Sequence, residues 1–128
     1  MRELIIAAKD QVGLLARISK ILGDKSINID SVSVETEGKE TMIRLVVSRE
    51  KEAAKLLEDA GFKVSASDMV VLKIEDQPGE LARVALTLAE AGINIRSVLF
   101  MRKEGNKGLF AVKVTKPEKA VEILKDYL

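Results

Sequence analysis

A chain of 128 residues holds one ordinary domain or two very small ones. Its 47% hydrophobic and 32% charged content describes a water-soluble globular protein, and 21 basic against 20 acidic side chains leave no basic stripe for nucleic acid. The absence of cysteine and histidine excludes disulfides, thiolate metal sites and imidazole general bases.

In chain order, the first predicted element is a strand over Leu4 to Lys9. Its apolar run ends at Ala8, too short for a signal peptide or a membrane span, which predicts a cytoplasmic protein without membrane contact. Asp10-Gln11-Val12-Gly13 reads as a loop. A helix follows, with Leu14, Leu15, Ile18, Ile21 and Leu22 at helical spacing as one buried stripe. Asn28 and Ile29 open a second strand, in which Val32 and Val34 alternate before a turn at Gly38. Ile43, Leu45 and Val47 alternate in a third strand. A second helix is expected from Ser48, presenting Ala53, Leu56, Leu57 and Ala60, and Phe62 to Ser65 closes the set as a short strand.

The pattern then restarts. Sliding the sequence by 66 residues lays Asp10–Val32 on Asp76–Val98, and 12 of those 23 pairs are identical, including Asp10/Asp76, Gln11/Gln77, Gly13/Gly79, Arg17/Arg83 and Asn28/Asn94. The second copy has a strand over Val70 to Glu75, the loop Asp76-Gln77-Pro78-Gly79 and a helix with Leu81, Val84, Ala85 and Leu88 inward. Asn94 and Ile95 open its second strand, and Gly105, Asn106 and Gly108 mark its turn. A one-residue insertion in that turn brings Thr115 onto Ser48. Thr115, Pro117 and Glu118 read as a capping box for a last helix with Ala120, Val121, Leu124 and Tyr127 inward. No counterpart of the closing strand precedes Leu128.

The order βαββαβ is the ferredoxin-like split βαβ, an α+β arrangement with two helices on one face of an antiparallel sheet. The chain thus divides into copies at 1–67 and 68–128, the second without its last strand. Modules this small gain by docking on one another or on a second chain, and the second strand of each is an exposed edge to be covered, which predicts a homodimer or higher oligomer.

That fold hosts unrelated functions, so the residues must choose among them. A metal carrier needs a Cys-x-x-Cys loop. An RNA binder needs aromatic residues on the central strands, where only Phe100 and Phe110 stand. A phosphatase-like site needs a glycine-rich anion loop with a paired Arg and Asn, which Arg17 and Arg83, one turn into their helices, match poorly. A small-molecule sensor fits better. A helix N-terminus attracts a carboxylate, glycine admits close approach, and the Asp of the loop accepts an ammonium group. Together they describe a site for a free amino acid, with Asn28 and Asn94 offering both donor and acceptor. The structural alternative stays open: Asp10 and Asp76 as helix N-caps, the glycines as turn formers, the asparagines satisfying backbone groups, Arg17 and Arg83 as solvated surface. No catalytic constellation, metal site or cofactor is expected.

Asp76-Gln77-Pro78-Gly79-Glu80-Leu81-Ala82-Arg83 followed by Ile93-Asn94-Ile95-Arg96-Ser97-Val98 resembles the ACT domain, a regulatory module of amino-acid metabolic enzymes. The first copy follows the same pattern with Val12 in place of proline. The resemblance implies two modules paired side by side through their second strands into one continuous antiparallel sheet, with an amino-acid effector at the seam. It implies ligand contacts from Asp10, Gln11, Val12, Gly13 and Leu14 toward Asn94 and Ile95, and from Asp76, Gln77, Pro78, Gly79 and Glu80 toward Asn28 and Ile29. It further implies a stand-alone, non-catalytic regulator whose state is read by a partner enzyme or other regulator. The first copy also resembles the regulatory subunit of acetolactate synthase, through Asn28 to Val32 and the strand Thr41 to Val47, which implies branched-chain amino acids as ligands.

Overall fold

The computed structural model describes residues 1–128, which form two compact units, Arg2–Ser67 and Asp68–Leu128 with Met1. The first unit runs β1 (Arg2–Lys9), α1 (Leu14–Gly23), β2 (Ile29–Glu37), β3 (Glu40–Val47), α2 (Glu50–Asp59) and β4 (Lys63–Asp68). The second runs β5 (Val70–Glu75), α3 (Glu80–Glu90), β6 (Ile95–Glu104), β7 (Lys107–Val114), α4 (Pro117–Ile123) and a short 3-10 helix, Lys125–Tyr127. No helix is long and apolar enough to cross a membrane.

Both units have the antiparallel ferredoxin-like topology, with strand orders β2-β3-β1-β4 and β5-β7-β6. The strands therefore form two sheets, of four and three, where the resemblance implied a single continuous one. β2 and β6 are edge strands, as the repeat required.

Leu4 pairs with Leu45 and Ile6 with Ile43, so these alternate residues share the face on which α1 and α2 pack. Ile18 and Leu22 of α1 and Leu57 of α2 complete that core with no residual exposure. In the second unit Leu72, Leu88 and Leu124 play the same part. Each fully buried side chain of this size contributes about 1.5–3 kcal/mol. Three of the four predicted stripes need one correction each. Leu15 and Leu81 stay exposed, at 38% and 51%, because they lie on the flank of their helices, off the buried stripes Leu14-Ile18-Leu22 and Val84-Leu88. Val121 is likewise exposed rather than inward.

Two turn features also differ from expectation. The hairpin turns, Gly38-Lys39 and Gly105-Asn106, are equal in length. The extra residue of the second copy sits instead in β6, as a bulge between Phe100 and Arg102. Nor do Ser48 and Thr115 cap the second helices, whose N-caps are Arg49 and Lys116 without side-chain hydrogen bonds. Ser48 Oγ accepts from the Asn28 N–H at 3.3 Å and Thr115 Oγ1 from the Asn94 N–H at 3.0 Å. The main chains close each loop in the opposite sense, Ser48 N–H to Asn28 O and Thr115 N–H to Asn94 O. These hydroxyl residues fasten the start of the edge strand rather than the start of a helix.

Candidate functional site

The loop after the first strand is held in the same way in both units. Asp10 N–H donates to Lys39 O at 2.8 Å, and Asp76 N–H to Asn106 O at 2.9 Å, so each loop is tied to the hairpin turn of its own sheet. Gly13 and Gly79 then occupy the N-cap with φ of 85° and 86°. A Cβ at either would meet nothing within 4 Å, so glycine is required by the left-handed backbone and not by crowding. No side chain caps α1 or α3, which excludes Asp10 and Asp76 as N-caps; the loop backbone takes up the first amide of each helix, Leu14 N–H to Gln11 O and Glu80 N–H to Gln77 O, and the next amides have no capping side chain.

Beside each loop lies a cavity. In the first unit it measures about 230 Å³, between Asp10, Gln11 and Gly13 on one side and Val34, Thr36 and Thr41 on the other. In the second it measures about 310 Å³, between Asp76 and Gln77 on one side and Phe100, Lys103 and Phe110 on the other. The exposed Leu15 and Leu81 line the two cavities at the same position of the repeat. Val34 and Phe100 are 48% and 50% exposed even though they point to the helix-bearing face of the sheet. Apolar side chains thus meet an uncapped helix start and a carboxylate around a space of small-molecule size.

The carboxylates have different company. Asp10 Oδ1 accepts from Thr41 Oγ1 at 3.2 Å, and Thr41 shares a second bond, 2.9 Å long, with Thr36 Oγ1. Asp76 pairs with the Lys103 ammonium at 3.0 Å.

Of the other residues singled out in the sequence, Leu14 lines the first cavity while burying most of its side chain in the core. Val12 is fully exposed at the loop tip, and Pro78 is exposed at the matching place. Glu80 turns to Arg83, 3.6 Å away. Ile29 and Ile95 pack partly against their own cores. Asn28 and Asn94 stand at the opposite end of the edge strand from the loop of their own unit. The nine residues of β2 separate Asn28 from Asp10 by about 30 Å at the usual rise of a strand. One amino acid cannot span that distance. Asn28 Nδ2 donates to Asp30 Oδ1 at 2.7 Å, whereas Asn94, with Arg96 in the place of Asp30, has no such partner.

Arg17 is not simply solvated. Its guanidinium donates to Ala60 O at 2.9 Å and lies 4.7 Å from the centre of the Phe62 ring. Sequence reasoning missed the cavity-facing Leu15, Leu81, Val34, Thr41, Lys103 and Gly108. The available signal was the pair Phe100 and Phe110, the only aromatic residues on the strands, together with the identity of Leu15 and Leu81 in the repeat.

A family model described as an ACT domain pair matches residues 1–127. A solved protein from Bacteroides thetaiotaomicron superimposes with a TM-score of 0.90 at 25% identity, covering 98% of this chain and 86% of that one. The regulatory subunit of aspartate kinase from Thermus thermophilus, in its ligand-free form, gives a TM-score of 0.71 over 99% of this chain and 91% of that one; at 17% identity the likeness is one of fold. D-3-phosphoglycerate dehydrogenase of Methanocaldococcus jannaschii is 30% identical over 109 residues, which is 80% of this chain but spans only 20% of that relative.

Proposed function

The chain belongs to the ACT domain pair family, and from that premise we propose that it is a non-catalytic regulatory protein whose effector is a free amino acid. The observation that carries this reading is the recurrence of one cavity in two diverged copies. Each combines an Asp, an uncapped helix N-terminus behind a left-handed glycine, and half-exposed apolar side chains. Leu15, Val34, Leu81 and Phe100, all partly in contact with water, supply the apolar wall. An α-carboxylate is stabilised by the helix amides, an α-ammonium by Asp10 or Asp76, and the side chain by the apolar wall.

Asn28 and Asn94 join such a site only when the edge strand of one module reaches the loop of another, within the chain or between two chains. In that arrangement the loop residues Asp10 to Leu14, or Asp76 to Glu80, hold the head group, and the amide from a second module closes over it. Ligand then favours one arrangement of modules, and a partner enzyme or regulator reads that arrangement. The regulatory subunit among the structural neighbours and the enzyme among the relatives are consistent with such a partner.

Thermal unfolding in the presence of each of the twenty amino acids tests the reading. A ligand at ~100 times its Kd adds about 2.7 kcal/mol of stability. At least one amino acid should raise the Tm, and Asp76→Ala or Asn94→Ala should diminish the rise. A second reading, a module that only docks protein, is favoured by the exposed Val32 and Val98 of the two edge strands. A flat response to all twenty would sink the first reading and leave the second.

A further inference from the structure

We propose that the two cavities are not equivalent, and that the one in the second module selects an amino acid with an aromatic side chain. The inference rests on the regulatory reading above and adds a ligand class to it. Its ground is the set of replacements that the strand register defines. Ile6 faces Ile43 as Leu72 faces Phe110, and Val34 faces Ile43 as Phe100 faces Phe110. Ala8 faces Thr41 as Ile74 faces Gly108, and Thr36 faces Thr41 as Lys103 faces Gly108. Between the copies, therefore, Val34 becomes Phe100, Ile43 becomes Phe110, Thr41 becomes Gly108 and Thr36 becomes Lys103.

These four changes fit one another. The two rings lie 5.3 Å apart at 57°. A Cβ on Gly108 would stand 2.8 Å from Phe110 Cε2 and 3.4 Å from Phe100 Cε2, so the pair exists because this position has no side chain. Unlike Gly13 and Gly79, Gly108 has no left-handed backbone to explain it. In the first copy Thr41 fills the same place and spends its hydroxyl on Asp10 and Thr36. The first cavity is smaller and has no ring in its lining, about 230 Å³ against about 310 Å³.

Phe100 is 50% exposed and offers an open ring beside that larger space. Aromatic pairs gain from tilted and offset arrangements, and a ligand ring completes a three-ring cluster with Phe100 and Phe110. The head group meets Lys103 and Asp76. Their ion pair is 68% and 60% exposed, a kind that contributes little and opens readily, so Lys103 can turn to an α-carboxylate while Asp76 takes the α-ammonium. The bulge just before Arg102 shifts the register that sets Lys103 opposite Gly108.

Calorimetric titration of the intact chain with phenylalanine, tyrosine, tryptophan, valine and threonine tests this. At least one aromatic amino acid should bind. Phe100→Ala, at a half-exposed position the fold does not depend on, should weaken it about tenfold, the equivalent of about 1.4 kcal/mol. Gly108→Thr, which rebuilds the first copy's residue, should weaken it as well, while Val121→Ala, on α4 and outside both cavities, should leave it unchanged. Valine or threonine binding with no aromatic binding overturns this inference and leaves the regulatory reading intact. No binding in this titration, together with no Tm shift from any of the twenty amino acids, overturns both. Aromatic binding that Phe100→Ala and Gly108→Thr leave untouched, with Phe100→Ala instead lowering the mass in sedimentation, shows a second copy on these rings and overturns the inference too.

Discussion

Arg17 and Arg83 hold the same position in the duplicated leading helix and have different neighbours. Arg17 reaches Ala60 O and the Phe62 ring, both supplied by the end of α2 and the approach to β4. The second unit has no strand corresponding to β4, and Arg83 pairs with Glu80 one turn away at 69% side-chain exposure. The repeat thus contains its own control. Arg17→Ala should lower stability by about 0.5–1 kcal/mol, the usual range for a cation over a ring at an exposed site. Arg83→Ala should be neutral within the error of urea denaturation, since isolated surface pairs contribute little. A larger cost is expected at Arg44. Its guanidinium is 3.1 Å from Glu3 Oε1, and Glu3 is fully buried with Oε2 unpartnered. Arg44→Ala strips that carboxylate of its one charged neighbour and should cost about 3 kcal/mol, toward the lower end for a broken buried pair because Arg44 itself is 28% exposed. Equal stability of Arg44→Ala and the parent in urea would refute that account.

At the scale of elements, β2 and β6 carry the same anomaly. Their apolar residues Val32, Val34, Val98 and Phe100 point to the helix-bearing face yet remain about half exposed. Neither first helix extends far enough over its edge strand to cover them. An edge with free ladder groups and an apolar stripe is a template for pairing. Val32→Glu together with Val98→Glu should therefore reduce self-association in sedimentation velocity, with little loss of Tm, since each replaced side chain is nearly half in water. A parent chain that sediments as a monomer would contradict it. The edge position of these strands was legible from the βαββαβ order, and so were the helices, because apolar spacing reports which side faces inward. What the spacing cannot report is how wide the cover is, and this is why Leu15 and Leu81 read as core. The hydroxyls of Ser48 and Thr115 misled for a related reason. A hydroxyl just before a helix can bond the helix or the strand beside it, and the choice depends on the Asn28 and Asn94 loops brought near in space. The bulge in β6 was visible only as one extra residue, since sequence offset alone does not locate an insertion within a hairpin. The loop glycines and aspartates were legible as a pair, while Thr41, Gly108 and Lys103 needed the register to bring them alongside.

For the whole molecule, duplication has left two cores of unequal size. The first core holds twelve buried side chains and the second ten, where Ile74, Val84, Ile93 and Val112, each within 3% of full burial, join Leu72, Leu88 and Leu124. At about 1.5–3 kcal/mol for each such side chain, the second unit has the smaller reserve against opening, even when part of the difference is already buried in the unfolded chain. Native-state hydrogen exchange should show the amides of β5 and β7 opening at lower free energy than those of β1 and β3. The proposed ligand sharpens the same experiment. An aromatic amino acid held by the second cavity stabilises only the closed form of that unit. At ~100 times its Kd it should slow exchange in β5 and β7 by about 100-fold, the equivalent of about 2.7 kcal/mol. Should the first unit be slowed to the same degree, the two open as one cooperative body, and the unequal cores do not translate into unequal stability. Slowing confined to β1 and β3 would place the aromatic ligand in the first unit, where Thr41 stands in the space that the second unit leaves empty at Gly108.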